Sequence, residues 1–192
     1  MGRKAHFKNE EFIESAIQII AEEGLGALTI AGLSTRVTAP IGSVYHRFPS
    51  RDALLAELWL NIIESFQNEW LKILQTDGRK ATLFCLEWVQ NHPNEARVMI
   101  LYRVDDLSSG DWSKDLTKRA ERLSRELRDG IAAFTEKKFG KITNEYMDRT
   151  LLALHDAPMG ILRRYLQDNK KLTKSVADLI LETYDAVIEN HK

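Results

Sequence analysis

Apolar residues recur at three- and four-residue spacing along most of the chain, and little interrupts them. Phe12, Ile13, Ala16, Ile17 and Ile20 open the pattern, and Leu116, Leu123, Leu127, Ile131 and Phe134 carry it far downstream. This period stacks side chains on one face of an α-helix, whereas a half-buried strand alternates them every second residue. Four prolines and ten glycines in 192 residues are too few for the frequent turns of a many-stranded fold. The expectation is an all-α protein of about nine helices.

Caps and breakers set the boundaries. The first helix is expected from Asn9 to Glu23, ended by Gly24. Thr29 caps a short second helix through Val37, Thr38-Ala39-Pro40 makes a tight turn, and a third helix spans Ile41 to Phe48 with Pro40 near its first position. Ser50 caps a long fourth helix to about Gln75. Five more are expected near 80–91, 94–107, 113–139, 144–168 and 173–190, with the polar loop Ser108 to Asp111 before the seventh and a kink at Pro158 in the eighth. The fourth helix bridges two units, 1–52 and 53–192.

Composition narrows the function classes. No stretch approaches the roughly 20 apolar residues that span a bilayer, and Met1 to Asn9 is polar and basic without a following apolar run, so a cytoplasmic protein without a membrane partner is expected. Cys85 is the sole cysteine, which excludes an internal disulfide and a multi-cysteine metal site, and it reads as an inert core residue. No glutamate has a histidine three residues on, as a helical di-metal site requires, and no nucleophile–base pair stands out. Neither an enzyme nor a cofactor is expected. The net charge of −1 permits nucleic-acid binding without demanding it. Residues 1–51 hold six Lys/Arg and five Asp/Glu, and Arg3, Lys4, Arg36, Arg47 and Arg51 lie in the N-terminal arm or near the third helix.

Two short helices joined by a tight turn, with a third packed across them, make a helix-turn-helix unit. Leu33, Val37, Val44 and Phe48 supply its small core with the stripe of the first helix. Gly42 leaves the front of the third helix bare, so its backbone can approach another surface closely. Ser43, Tyr45, His46 and Arg47 offer hydrogen-bond donors beside that patch, and Arg51 sits in the first turn of the fourth helix, where free backbone N–H groups favour a phosphate.

The run from Phe12 to Leu55 resembles the N-terminal signature of the TetR family of transcriptional regulators. The landmarks are the first-helix stripe, Glu23-Gly24, the capping Thr29, Gly42-Ser43-Val44-Tyr45 leading to Phe48, and Pro49 to Leu55. The resemblance implies that Thr29, Tyr45 and Arg51 hold phosphates, that Ile41, Gly42, Ser43 and Arg47 face base edges, and that the partner is double-stranded operator DNA. Three residues depart from the pattern. Thr38 replaces the usual turn glycine, so the turn is expected to be tight and slightly strained. Pro40 stands where a capping serine is usual, and Ile41, where the family often has a polar residue, can touch a thymine methyl but cannot read guanine.

The resemblance also implies a small-molecule effector that releases the DNA, with its pocket among the middle helices. Candidate lining residues are Phe84, Trp88, Met99, Tyr102, Arg103 and Trp112, together with Phe134 and His155. A homodimer is expected through the last two helices. One stripe holds Leu151, Leu154, Ile161 and Tyr165, and the other holds Val176, Leu179, Ile180, Thr183 and Val187. Pro40 and Ile41 leave one alternative open, a helical ligand-binding or adaptor dimer that has lost DNA binding.

Overall fold

The computed structural model describes residues 7–103 and 112–190, and among these every regular element is helical. Arg3, Lys4 and the Ser108 to Asp111 loop lie outside the described residues. The helices are α1 (Asn9–Glu23), α2 (Ile30–Arg36), α3 (Ile41–Arg47), α4 (Arg51–Leu74), α5 (Gly78–Asn91), α6 (Pro93–Leu101) and α7 (Lys114–Phe139). The next, α8, is one rod in three stretches: Asn144–Leu151, a π-helical turn Leu152–Asp156, and Ala157–Gln167. The last, α9, runs Lys174–Tyr184 and ends in a second π-helical turn, Asp185–Glu189.

The caps explain most boundaries. Thr29, Ser50, Ser113 and Thr143 each accept a hydrogen bond from a backbone N–H in the first turn that follows, satisfying a donor that the helix itself leaves unpaired. Asp77 does the same for α5, accepting from Lys80 N at 3.0 Å, so Thr76-Asp77-Gly78 starts that helix as well as ending the connection. Gly140 closes α7 in the left-handed conformation, with φ 74°. A π-helical turn stands directly ahead of Pro158, since proline has no N–H to bond back along a regular helix.

Thr38 stands at φ +57° between α2 and α3. Its N–H donates to the Thr35 carbonyl and that of Ala39 to the Ser34 carbonyl, the double bond of a Schellman turn, while the Ser34 hydroxyl donates back to Ala39 O at 2.6 Å. A β-branched residue in this region is strained by about 1–2 kcal/mol, and three hydrogen bonds hold it there. The expected strain at Thr38 is therefore real and local.

Phe12, Ala16, Leu33, Val44 and Phe48 form the centre of the N-terminal unit, with the Phe12 and Phe48 rings edge to face at 6.3 Å. Helix α4 leaves this unit and packs along α5 and α7 in the body. A second bridge was not legible as such: α6 packs against α1. Arg97 donates to Ala21 O on α1 and to Leu166 O and Asn169 Oδ1 at the end of α8, and Tyr102 Oη accepts from Leu25 N.

Candidate nucleic-acid interface and interior cavity

Helix α3 exposes one face of the N-terminal unit. Ile41, Gly42, Tyr45 and His46, spaced one turn apart, all lie open to solvent, with Ile41 47% and Tyr45 51% exposed. Ser43 is half-buried, and Pro40 and Thr29 are exposed at the heads of α3 and α2. A Cβ added at Gly42 would meet nothing within 4 Å, so no packing inside the molecule requires glycine there. A solvent-facing helical glycine costs about 0.5–1 kcal/mol relative to alanine. What it leaves is a strip of bare backbone between an exposed isoleucine and an exposed phenol.

The structure gives Arg47 and Arg51 other partners than the base edges and phosphates expected of them. The Arg47 guanidinium lies over the Phe12 ring, 5.4 Å from its centroid, and donates to the Ser43 and Phe7 carbonyls. Arg51 donates from Nε to Leu28 O and from Nη2 to Leu25 O, both at 2.8 Å, which pins the α1–α2 connection to the start of α4. Arg36 is paired with Glu22 and Glu23. These three cations hold the unit together in this state.

In the body a cavity of about 290 Å³ lies between α4, α6, α7 and α8. Of the expected lining residues, Met99 and His155 are there. The others are elsewhere. Phe84 and Trp88 are buried behind Phe66, whose ring lies 5.9 and 5.2 Å from theirs and forms the wall itself. Tyr102 is turned to Leu25 in the N-terminal unit, and Arg103 follows it, exposed and off the lining. Phe134 packs on Gly78, so closely that a Cβ there would come within 2.4 Å of its ring. Trp112 borders a separate shallow groove along α7.

The α4 stripe Trp59, Ile63, Phe66, Gln67 and Trp70 was the missed wall. Its regular spacing reads equally as packing, which is why the sequence did not single it out. Gln67, 3% exposed, donates from its side-chain nitrogen to Leu123 O at 2.8 Å. Two basic side chains line the cavity, Arg163 and His155, and among the described residues no carboxylate does. His155 Nδ1 lies 2.8 Å from Asp156 Oδ1, just off the lining. Cys85 is wholly buried beside the Leu154 carbonyl, and burial pushes its thiol up to about 12. It is a core residue.

The two C-terminal stripes divide differently from expectation. Leu154, Val176 and Ile180 are buried in the chain's own core, and Leu151 and Leu154 line the cavity. A stripe wide enough to suggest two contacts was mostly serving one. Ile161, Tyr165, Thr183 and Val187 are half-buried, and Leu179 stays 41% exposed. Leu152, at 46% exposure, joins Leu179 among the large apolar side chains left open.

The described residues thus form a helix-turn-helix head on a helical body that holds a cavity. Residues 12–58 match the family described as bacterial regulatory proteins, tetR family. No curated protein matches the chain in sequence. Among solved structures, the transcriptional regulator FadR from Bacillus subtilis in complex with stearoyl-CoA has a TM-score of 0.70 at 11% identity, covering 96% of this chain and all of that one. FadR from Bacillus halodurans gives 0.70 at 13% identity over 96% and 100%, and PfmR from Thermus thermophilus gives 0.68 at 13% over 94% and 98%. At such identities the likeness is one of fold, and it runs through the body as well as the head.

Proposed function

We propose that this chain is a DNA-binding transcriptional repressor, acting in the cytoplasm as a homodimer and released from its operator by a small molecule in the α4–α8 cavity. The open face around Gly42 carries the reading. It presents bare backbone, a phenol, an imidazole and an isoleucine side by side, a surface fit for a groove edge and its phosphates. Ile41 is then suited to a thymine methyl.

Both bridges to the head begin at the cavity. Trp59 and Phe66 line it from α4, whose first residue, Arg51, holds the α1–α2 connection. Met99 and Ile100 line it from α6, whose Arg97 grips α1 and whose C-terminal neighbour Tyr102 grips Leu25. A molecule that shifts either helix changes the spacing of paired heads, which must sit about 34–36 Å apart to enter successive major grooves.

The test is a fluorescence-anisotropy titration of the full-length protein against duplex DNA from upstream of its own gene and against a scrambled duplex. Salt-dependent binding that prefers the first by about 10³-fold or more supports the reading. Equal, weak binding to both duplexes favours the adaptor alternative.

A further inference from the structure

Resting on the reading of the α4–α8 cavity as the effector site, we infer that its ligand is a compact anionic amphiphile. Its apolar body has about ten non-hydrogen atoms, and its anionic head is met by Arg163 and His155. Three observations converge on this. The wall is almost wholly apolar, from Trp59, Phe66 and Trp70 on one side to Leu127, Ile131 and Met159 on the others. Its two ionisable lining groups are both basic, and both stand on α8, about two turns apart. Arg163 is exposed and has no hydrogen-bond or ion-pair partner among the described residues, so its charge is available to a ligand.

The acid next along the rod, Asp156, sits against His155 Nδ1, leaving the other ring nitrogen and the whole guanidinium for the head group. A cationic ligand would meet two bases and no acid on the described lining, and a neutral one would leave Arg163 unused.

Size is set by volume. At about 30 Å³ per water-sized group, the cavity of about 290 Å³ holds roughly ten such groups. That is the low end of small-molecule pockets, which begin near 300 Å³. A stearoyl chain, at about the same volume per methylene, needs nearly twice the space.

Trp59 and Trp70 lie in the wall, so the intrinsic fluorescence of the full-length protein reports occupancy. The probes are straight-chain carboxylates from hexanoate to hexadecanoate, with decanol and decylamine as neutral and cationic counterparts, all below their micelle-forming concentrations and without DNA. Affinity should rise about fourfold per methylene, then level off near ten carbons. Decanoate should bind at least tenfold tighter than decanol, and decylamine weakest. Arg163→Ala should bring the acid-to-alcohol ratio close to one, and Arg163→Lys should keep most of it.

Equal affinity for decanol and decanoate, an acid preference that survives Arg163→Ala, a rise continuing to hexadecanoate, or no binding across the series would each overturn the assignment. A repeat with operator present separates the two readings. Decanoate that binds but leaves DNA affinity unchanged contradicts the effector role while the ligand class stands. Release by an unrelated compound, with no binding of the acids, contradicts the ligand class alone.

Discussion

Arg51 marks the difference between reading a residue in sequence and seeing it in place. Its position in the first turn of α4 matches a phosphate contact, yet its guanidinium is spent on the Leu25 and Leu28 carbonyls. Two charge-assisted bonds across the α1–α2 connection make it a stability residue, at roughly 2 kcal/mol. Arg51→Ala should lower Tm by about 4–8 °C, as differential scanning calorimetry would record, while Tyr45→Phe leaves Tm unchanged and weakens operator binding severalfold. An unchanged Tm in Arg51→Ala would return that side chain to the DNA surface. The residues legible in sequence were those defined by what they lack or by their backbone. Gly42 was readable because it has no side chain, Thr38 because a turn there needs φ above zero, and Thr29 because a cap has a fixed place. Arg47, Tyr102 and Phe134 were not, because a long or aromatic side chain chooses its partner from tertiary neighbours that spacing does not reveal.

Helices were legible as periods, and faces were legible only in part. The α4 stripe from Trp59 to Trp70 fits a core and a cavity wall equally well, and Val176 and Ile180 fit an interface and a core equally well. Contacts between rods decide such cases. At one end of α5, Gly78 admits Phe134 of α7 and the Tyr184 hydroxyl of α9, and a Cβ would stand 2.4 Å from the first and 2.7 Å from the second. Gly78→Ala should overpack this junction and destabilise the protein by about 1–3 kcal/mol, visible as a lower urea midpoint with unchanged m. Farther along, Glu64 of α4 receives Arg119 and Arg122 of α7. Burial would raise its carboxyl, but hydrogen bonds from the two arginines outweigh that and hold it below its ordinary value. A lowered folded pKa adds stability that is present above the unfolded value and is lost as pH falls through the folded one. Glu57 has the opposite shift, raised chiefly by burial, so the comparison must isolate Glu64. The Tm gap between wild type and Glu64→Gln should be widest at neutral pH and close below about pH 4. A gap constant with pH would show that the carboxylate charge is not what the arginines use.

At the scale of the molecule, the helix-turn-helix head is joined through α4 and α6 to a helical body that holds the cavity. The proposed pairing face rests on burial. Leu152 and Leu179 are the open apolar positions on α8 and α9, whereas Val176 and Ile180 are needed inside. Leu152→Asp with Leu179→Asp should give a folded monomer by light scattering, with helicity retained by circular dichroism. A dimer that survives both charges would place the interface elsewhere. The central claim, however, is that the Gly42 face of α3 reads DNA, and the open space around that glycine permits a direct test. A Cβ at position 42 meets nothing in the protein, and leucine there improves helix propensity by up to about 1 kcal/mol. It also fills the strip through which the backbone would approach a groove. The measurement is operator affinity and Tm for full-length Gly42→Leu beside wild type. An equal or higher Tm is expected, with affinity reduced at least a hundredfold. Wild-type affinity in a stably folded Gly42→Leu protein would contradict the claim.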